Sequence, residues 1–230
     1  MTLSNLSMLA SRGKSILQEE GVIPLIRQGF LFLIGWAFRY DTYYIYEREL
    51  NRLDEIQFIP KVENYTLKII STSEQVDQLA AEGFSINYYP LSVRGIKERL
   101  SKKAVSFCVF VGKELIHMTW VARSKEAKRV IDYLPFRVDF QGGEVCSGAS
   151  FTKPQYRRKG LLAYTYSHIL TYLAKQDIMR VKFSIHKNNI SSQKAYTKVT
   201  PTITSYGHYL KILWYQSWKE ESIVSPHPND

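Results

Sequence analysis

Two long apolar runs separated by two residues constrain the fold of this chain more than any other feature. Residues 104–111 read AVSFCVFV, residues 114–122 read ELIHMTWVA, and Gly112-Lys113 stands between them. Runs of this length that are rich in β-branched and aromatic residues are typical of strands, and a two-residue link that begins with glycine predicts a tight hairpin. The chain is therefore expected to build its core on an antiparallel sheet.

The patterns on both sides of this hairpin predict further strands and helices. In order, the elements expected after residue 60 are a strand at 65–71, helices at 72–82 and 92–102, the hairpin, a second hairpin from 137–140 and 143–152, a helix at 160–175, a strand at 181–185, a helix at 191–198 and a strand at 203–214. Antiparallel strands followed by alternating helices and strands indicate a mixed α/β, α+β-like fold. The composition, 45% apolar and 23% charged residues, suits a globular domain.

Residues 1–60 lie outside this pattern. Pro24, placed where a helix could begin, and the apolar run at 28–38 predict a helical extension. Crossing a bilayer takes about 20 apolar residues, so the run is expected to pack on the main domain or to lie in a membrane interface. We predict a helical extension at 1–60, a main domain at 61–220 and a flexible tail at 221–230.

The positive charge is local. The formal net charge is +10, and the stretch from Lys153 to Lys198 holds ten basic residues and one acid, Asp177. Such a field attracts phosphates, whether on a nucleic acid, a membrane or a cofactor. No helix-turn-helix, zinc-finger or RNP motif occurs, so a nucleic acid is the less favoured partner.

The cysteines and histidines exclude two classes of protein. Two cysteines, Cys108 and Cys146, are too few for a disulfide scaffold or a cysteine-rich zinc module. The five histidines show no metal-ligand spacing, so no metal is expected.

The stretch from Ser150 to Ala163 (SFTKPQYRRKGLLA) carries the clearest chemical signal. Pro154 ends a strand, three cations follow, and Gly160 leads directly into a helix. The first amides of a helix have no partner within it and, with the helix dipole, favour a bound anion. The loop is neither a Walker A loop nor a dinucleotide fingerprint, because the additional glycines of those motifs are missing. A pyrophosphate is a natural ligand, and an unliganded basic loop is the alternative.

A second stretch, NISSQKAY at 189–196, follows a strand and opens a helix. Tyr196 lies one helical turn after Ser192, on the same face. By itself this pattern is typical of a helix cap with a packed tyrosine.

Together the two stretches resemble the GNAT superfamily of acyl-CoA-dependent N-acetyltransferases. In that family a strand leads through a proline into a loop of the form Arg/Gln-x-x-Gly-x-Gly/Ala, here RRKGLL at 157–162. The element Asn-x-x-Ser-x-x-x-Tyr follows about thirty residues later, here at 189–196. The resemblance extends over about residues 65–214 and implies a mostly antiparallel central sheet flanked by helices. The chain departs from it at Leu162, where the family has a small residue, and at 199–201, where the family often has Gly-Phe or Gly-Tyr.

The resemblance also implies a site for acetyl-CoA or another acyl-CoA as the donor. The implied cofactor-binding residues are Ser150, Phe151, Thr152, Arg157, Arg158, Lys159, Gly160, Leu161, Leu162, Asn189 and Ser192. The loop amides of 157–162 would hold the pyrophosphate, and the main chain of 150–152 would pair with the pantetheine arm. Tyr196 would protonate the leaving thiolate while an amine attacks the thioester directly.

No motif fixes the general base. Glu144, on the strand before the loop, is the first candidate, and His117 and His186 are the alternatives. A water relay or an amine that arrives deprotonated would make a dedicated base unnecessary. Cys146 lies close to Glu144, but nothing nearby in the sequence indicates an activated thiol.

The expected function is N-acyl transfer to a small-molecule amine, and the alternative is a module that binds CoA or nucleic acid without catalysis. The apolar C-terminal residues 210–218 leave a homodimer open, and residues 22–46 leave peripheral membrane contact open. No secretory leader is recognisable at 1–12, so a cytoplasmic location is expected.

Overall fold

The computed structural model describes residues 22–23, 37–50, 58–86, 88 and 91–223. The strands of this part are β1 (Phe38–Glu49), β2 (Tyr65–Ile70), β3 (Ala104–Val111), β4 (Glu114–Ala122), β5 (Glu144–Thr152), β6 (Arg180–His186), β7 (Thr202–Ile212) and β8 (Tyr215–Ser222). Its helices are α1 (Ser73–Ala81), α2 (Val93–Ser101), α3 (Lys125–Ile131), α4 (Leu161–Ala174) and α5 (Ile190–Tyr196), with 3-10 turns at Pro154–Tyr156 and Thr197–Val199. Among these helices, none is long and apolar enough to span a bilayer.

The strands form one sheet in the order β2-β3-β4-β5-β6-β1-β7-β8. The pairs β2–β3, β3–β4, β4–β5 and β1–β6 are antiparallel, whereas β5 and β6 are parallel. The predicted mixed α/β fold with a mostly antiparallel sheet is confirmed.

The chain divides into two compact units, residues 42–207 with 220–230 and residues 1–41 with 208–219. The site described below lies within the first unit.

The central hairpin forms at the predicted bounds. β3 and β4 pair along their whole length, and Gly112 takes the left-handed conformation (φ +56°) that the tight turn requires. Every residue of β3 except Val111 is buried, as is every residue of β4 except Glu114. Burial on both faces explains why these two runs read as continuous apolar sequence.

The prediction of a helical extension over 1–60 is wrong for residues 38–49, which form β1. This strand pairs with β6 from Tyr43 opposite His186 to Glu49 opposite Arg180. Tyrosine and isoleucine favour strands, and burial of Tyr43, Ile45 and Tyr46 holds β1 in the sheet. Val22 and Ile23 are helical, and the other residues up to 36 lie outside the described part of the chain.

The prediction of a flexible tail at 221–230 is wrong for its first two residues. β8 continues to Ser222, so residues 221 and 222 still belong to a strand. Residues 224–230 lie outside the described part.

The second predicted hairpin is wrong in its first half, because residues 137–139 are irregular. A helix that was not predicted, α3, precedes them, and the Ser124 hydroxyl caps it by accepting from the Ala127 N–H at 3.0 Å. The Asp139 carboxylate accepts from the Gly142 N–H at 3.0 Å, and the Asp139 carbonyl accepts from the Glu144 N–H at 2.9 Å. These bonds fold residues 139–144 into a turn that leads directly into β5.

An aromatic cluster packs between the sheet and helices α4 and α5. Phe183 on β6 is 1% exposed and stacks on Tyr46 of β1 and on Tyr196 of α5, with ring centroids 5.2 and 4.4 Å away. Tyr166 of α4 meets the same phenylalanine edge-on at 5.5 Å. Phe183 is therefore the residue at which these four elements meet.

Replacing Phe183 by alanine should lower the free energy of unfolding by about 3–5 kcal/mol, because the change removes a buried ring and leaves a cavity. Urea titration followed by circular dichroism measures this loss. Ile59→Ala is the control, since Ile59 is 81% exposed and its truncation should change stability by less than about 0.5 kcal/mol. Equal losses in the two variants would contradict the assignment of Phe183 to the core.

Candidate functional site

The parallel strands β5 and β6 diverge soon after they begin. Their pairing joins Glu144 to Arg180, Val145 to Val181 and Cys146 to Lys182, and it stops there. β5 continues to Thr152 and β6 to His186 without further pairing between them. A V-shaped opening therefore separates the ends of the two strands, and the edge of β5 that is not paired with β4 borders it. The Thr152 carbonyl on this strand accepts from Arg157 Nε at 3.3 Å.

A β-bulge lies on the other edge of β5. Met118 of β4 pairs with Phe151 and Trp120 pairs with Gly148, so that Ala149 and Ser150 together stand opposite the single residue Thr119. Ala149 has a positive φ of +49°, as the extra residue of a bulge often does. A bulge changes the direction in which the side chains of its strand point. At this bulge the Thr119 hydroxyl donates to Ser150 Oγ at 3.1 Å.

The loop after β5 turns sharply into α4. Arg158 and Gly160 both take the left-handed conformation, with φ values of +63° and +81°. The first helical bond of α4 runs from the Tyr164 N–H to the Gly160 carbonyl at 3.0 Å. The amides of residues 161–163 precede that bond and are the unpaired donors that every helix presents at its start.

These features surround one cavity of about 860 Å³. Its lining residues come from the end of β5, the loop, the start of α4, and α5 with its N-cap and the 3-10 turn after it: Ser150, Phe151, Thr152, Tyr156, Arg157, Arg158, Gly160, Leu161, Leu162, Ala163, Asn189, Ser191, Ser192, Lys194, Ala195 and Lys198. Four of them are cations and none is a carboxylate. The cavity therefore combines a helix start with an uncompensated positive field, which is the environment of an anion site.

Tyr196 lies at the end of α5 and is only 5% exposed. Burial raises its pKa to about 12, and hydrogen bonding by the Ser150 side chain opposes part of that rise. The phenol is therefore protonated at neutral pH. Tyr196 is not among the residues that line the cavity, whereas Ser192 and Ala195 of the same helix are.

The comparisons with known proteins concern structure alone, because no family model and no curated protein matches the sequence. A solved GCN5-related N-acetyltransferase from Sphaerobacter thermophilus superposes with a TM-score of 0.51 and 10% identity, covering 85% of this chain and 58% of that chain. The chain has the GNAT fold.

Two further solved structures are similar at lower scores. They are a GNAT-family acetyltransferase from Colwellia psychrerythraea (TM-score 0.47, 15% identity, 75% of this chain and 55% of that chain) and a GCN5-related N-acetyltransferase-like protein from Streptococcus suis (0.44, 13%, 89% and 69%). This chain thus spans little more than half the length of the Sphaerobacter and Colwellia structures.

Within the GNAT fold, the residues expected to bind the cofactor come together. Ten of the eleven line the cavity, and the exception is Lys159. The Lys159 carbonyl accepts from the Lys61 N–H at 2.8 Å, and its ammonium lies 5.3 Å from the centre of the Tyr156 ring. Lys159 therefore ties the loop to the segment before β2. Leu162, which replaces a small residue of the GNAT motif, lines the cavity and also packs against the hydrophobic core that contains Tyr166 and Phe183.

Asn189 and Ser192 have a structural task as well as a place in the cavity wall. The Asn189 carboxamide oxygen accepts from the Ser192 N–H at 3.2 Å and so caps α5. The cap fixes the start of the helix that carries Tyr196.

Glu144, expected as a general base, does not line the cavity. It begins β5, six residues before Ser150, which at about 3.3 Å per residue is roughly 20 Å along the strand. Its carboxylate lies 3.3 Å from Arg180 Nη1 and 3.0 Å from Lys182 Nζ, and it accepts from the Asp139 N–H at 2.8 Å. These contacts join β5 to β6 at the end where the two strands are paired, which is the closed end of the opening.

The other candidate groups are equally constrained. Burial lowers the pKa of His117 to about 3 and raises the pKa of both Cys108 and Cys146, so the ring is neutral and both thiols stay protonated. His186 Nδ1 accepts from the Asn188 N–H at 3.1 Å in the turn before α5. In the described part of the chain, no group of three or more His, Cys, Asp or Glu side chains could hold a metal ion.

Two lysines of the cavity, Lys194 and Lys198, were not singled out from the sequence. They are four residues apart, and residues spaced in this way along a helix lie on one face. This spacing, within the basic stretch that follows Lys153, was the signal that could have identified them.

Glu144→Gln should lower the free energy of unfolding by about 1–3 kcal/mol, because two cations lose a partner that is only 9% exposed. Chemical denaturation measures the change. Glu49→Gln is the matched control, since its side chain is 59% exposed and lies 4.0 Å from Arg180. A large loss of acyl-transfer turnover in Glu144→Gln without a loss of stability would contradict the structural role.

Proposed function

We propose that this chain is an N-acyltransferase that moves an acetyl or longer acyl group from acyl-CoA to an amine. The observation that carries the proposal is the single cavity in which the basic loop, the start of α4 and the open end of β5 meet. Each of these parts fits a different portion of an acyl-CoA molecule.

The phosphates of CoA fit the basic end of the cavity. The amides of residues 161–163 would donate to the pyrophosphate, and the left-handed Gly160 leaves room for its close approach. Arg157 and Arg158 are exposed on the loop, and the same cavity is lined by Lys194 of α5 and by Lys198 of the 3-10 turn that follows it. A CoA carries several negative charges, so four cations without a carboxylate among them favour its entry.

The pantetheine arm fits the open edge of β5. It contains two amides in an extended chain, and it would pair with main-chain groups of residues 150–152 as an added strand does. Because β6 stops pairing with β5 after Lys182, no strand of the described residues occupies this edge beyond Cys146. The arm would carry the thioester toward the bulge at Ala149 and Ser150.

The chemistry requires a carbonyl polariser and a proton donor. Main-chain N–H groups at the bulge would stabilise the negative charge that develops on the thioester oxygen. Tyr196 would give its proton to the departing sulfur, since burial keeps the phenol protonated at neutral pH. Among the described residues that line the cavity there is no carboxylate and no cysteine, so we propose direct attack by an amine that loses its proton to water.

The acceptor is proposed to be a small-molecule amine. A reducing, cytoplasmic location suits both the two unpaired cysteines, which are buried in the fold, and the use of acyl-CoA. A CoA-binding module without catalysis and a nucleic-acid-binding module are the alternatives that the experiments below separate.

Calorimetric titration with acetyl-CoA tests the binding half of the proposal. We expect micromolar binding that free adenosine does not reproduce. Gly160→Glu should weaken this binding by about 100-fold or more, because it places a negative charge at the phosphate site. Gly160→Ala is the control: it brings the same backbone strain at φ +81° without the charge, and its Cβ would meet only Pro60 at 3.8 Å.

Two outcomes would contradict the binding site. If Gly160→Glu and Gly160→Ala bind equally well, the loop does not hold the phosphates. If single-stranded DNA binds with a steep salt dependence while acetyl-CoA does not bind, the basic surface serves a nucleic acid.

Tyr196→Phe tests the catalytic half. We expect kcat with acetyl-CoA and an amine found by screening to fall by about 10²–10⁴, with the affinity for acetyl-CoA nearly unchanged, because only the proton donor is removed. Release of free CoA, detected with a thiol reagent, measures kcat. If turnover is unchanged, Tyr196 is not the proton donor. If the wild-type protein binds acetyl-CoA but transfers the acyl group to none of the amines, the chain is a CoA-binding module and not an enzyme.

A further inference from the structure

Two buried nitrogen donors, one on β4 and one on α2, have no hydrogen-bond partner. They are Nε1 of Trp120 and Nη1 of Arg99, and neither atom bonds to any group in the described part of the chain. The Trp120 side chain is fully buried, and the guanidinium carbon of Arg99 lies 5.2 Å from the centre of its ring. The two donors therefore belong to one cluster.

The charge of Arg99 is uncompensated as well. Among the described residues, no carboxylate forms an ion pair with it. Burial lowers the pKa of Arg99, as expected for a cation that is withdrawn from water, and a guanidinium keeps its proton even so. A buried cation and a buried N–H without partners both destabilise a fold, so their presence calls for a ligand that supplies the partner.

Tyr88 lies beside the two donors and does not satisfy them. Burial raises the pKa of its phenol, and the Arg99 charge and the Trp120 N–H oppose part of that rise. Neither donor, however, forms a hydrogen bond to the phenol oxygen. The phenol is neutral at physiological pH, so it provides no negative charge for Arg99.

The cluster adjoins the place where the thioester is proposed to lie. Trp120 pairs with Gly148, the last residue before the bulge of β5. Phe151, three residues further along β5, lines the cavity, and the Tyr88 ring stacks on it with the ring centroids 4.2 Å apart. A ligand that extends from the bulge to the two donors would therefore pass along a pair of stacked aromatic rings.

The chemistry of the cluster selects the ligand group. One guanidinium and one indole N–H match a carboxylate, which has a single charge and two oxygens to accept from them. A phosphate dianion would leave one negative charge unpaired in a buried place, which is costly. The stacked rings of Tyr88 and Phe151 favour a flat, apolar body beside the carboxylate.

We propose that Arg99 and Trp120 bind a carboxylate of the acceptor, so that the acceptor is an amine with a carboxylate on a flat, apolar body. The assignment rests on the proposed acyl transfer and names its acceptor class. Both nitrogens are shielded from water in the free protein, so the half-buried Tyr88 ring moves aside when the carboxylate enters. The destabilisation by the unpaired groups is then relieved only in the complex, as is typical of functional sites.

Benzoate tests the subsite without any acyl transfer, and benzamide is its neutral counterpart. In NMR spectra of the full chain, benzoate should shift the indole N–H resonance of Trp120 in a saturable manner, whereas benzamide should not. Trp120→Phe identifies that resonance by its disappearance. Arg99→Gln should weaken benzoate binding by about tenfold or more, because the charge that pairs with the carboxylate is lost.

Arg94→Gln is the matched control for Arg99→Gln. Arg94 is exposed on the same helix, so the same substitution there should leave benzoate affinity within about twofold of the wild type. A Trp120 resonance that benzoate does not shift, or equal benzoate affinities in Arg94→Gln and Arg99→Gln, would overturn the subsite.

Stability separates a ligand site from a structural contact. Arg99→Gln should leave the urea midpoint unchanged or raise it, because it removes a buried charge that has no counterion. Tyr88→Phe should change neither the midpoint nor benzoate affinity, because the phenol oxygen is not the partner of the two donors. A lower midpoint in both variants would show that the three side chains stabilise one another, and the carboxylate subsite would be wrong.

Aminobenzoates extend the test to acyl transfer. With acetyl-CoA, kcat/KM for 3- or 4-aminobenzoate should exceed that for the matching aminobenzamide by about tenfold or more. The preference should disappear in Arg99→Gln and persist in Arg94→Gln. Equal turnover of acid and amide by the wild type would overturn the subsite and leave acyl transfer standing. If no amine is acylated while benzoate still shifts Trp120, the proposed acyl transfer is wrong and the cluster is a carboxylate-binding site alone.

Discussion

The parallel pairing of β5 with β6 ends after Cys146, and the rest of the site depends on that early separation. Three residue pairs hold the strands together at one end. Beyond them the main-chain groups of β5 face an opening in the middle of a sheet, where unpaired N–H and C=O groups are costly unless something covers them. An extended ligand that carries its own amides would satisfy these groups, which is why the open edge argues for pantetheine more strongly than the basic loop does.

Both ends of the opening are fixed by contacts made elsewhere in the molecule. At the closed end, Glu144 lies between Arg180 and Lys182 of β6, so that the two strands are joined by ion pairs as well as by the ladder. At the open end, β1 pairs with the edge of β6 that faces away from β5. This pairing covers the whole length of β6, from Arg180 to His186. Phe183 adds an aromatic stack on both Tyr46 and Tyr196. β6 is therefore held away from β5 by packing, and the cavity does not depend on a ligand to keep it open.

The parts of this structure that the sequence predicts are those built from neighbouring residues. The hairpin at 104–122 is encoded by two apolar runs and a glycine turn, and the loop at 157–162 by a proline, cations and a helix start. β1 was missed because its partner β6 lies about 140 residues further along the chain, and a tyrosine-rich run without that partner does not reveal a strand. The role of Glu144 was missed for the same reason, since Arg180 and Lys182 reach it only across the sheet.

The bulge at Ala149 and Ser150 could not be predicted at all from local pattern. A strand with one extra residue reads like any other strand, and only the register against β4 reveals it. Yet this register decides which side chains meet. It sets Thr119 against Ser150, and through Thr119 it connects the buried His117 to a residue that lines the cavity.

Burial and charge act on different parts of the site and lead to one mechanistic constraint. The rim of the cavity carries four cations, which act over several ångströms on a phosphate. Beneath the cavity wall, the groups are neutral, because burial lowers the pKa of His117 to about 3 and raises that of Tyr196 to about 12. The same loss of water that keeps Tyr196 protonated therefore prevents His117 from taking a proton from the amine. A site with a protonated phenol and, among its described lining residues, no carboxylate or cysteine favours acceptors whose amine is already deprotonated near neutral pH. An aromatic or otherwise weakly basic amine should therefore be a better acceptor than an alkylammonium.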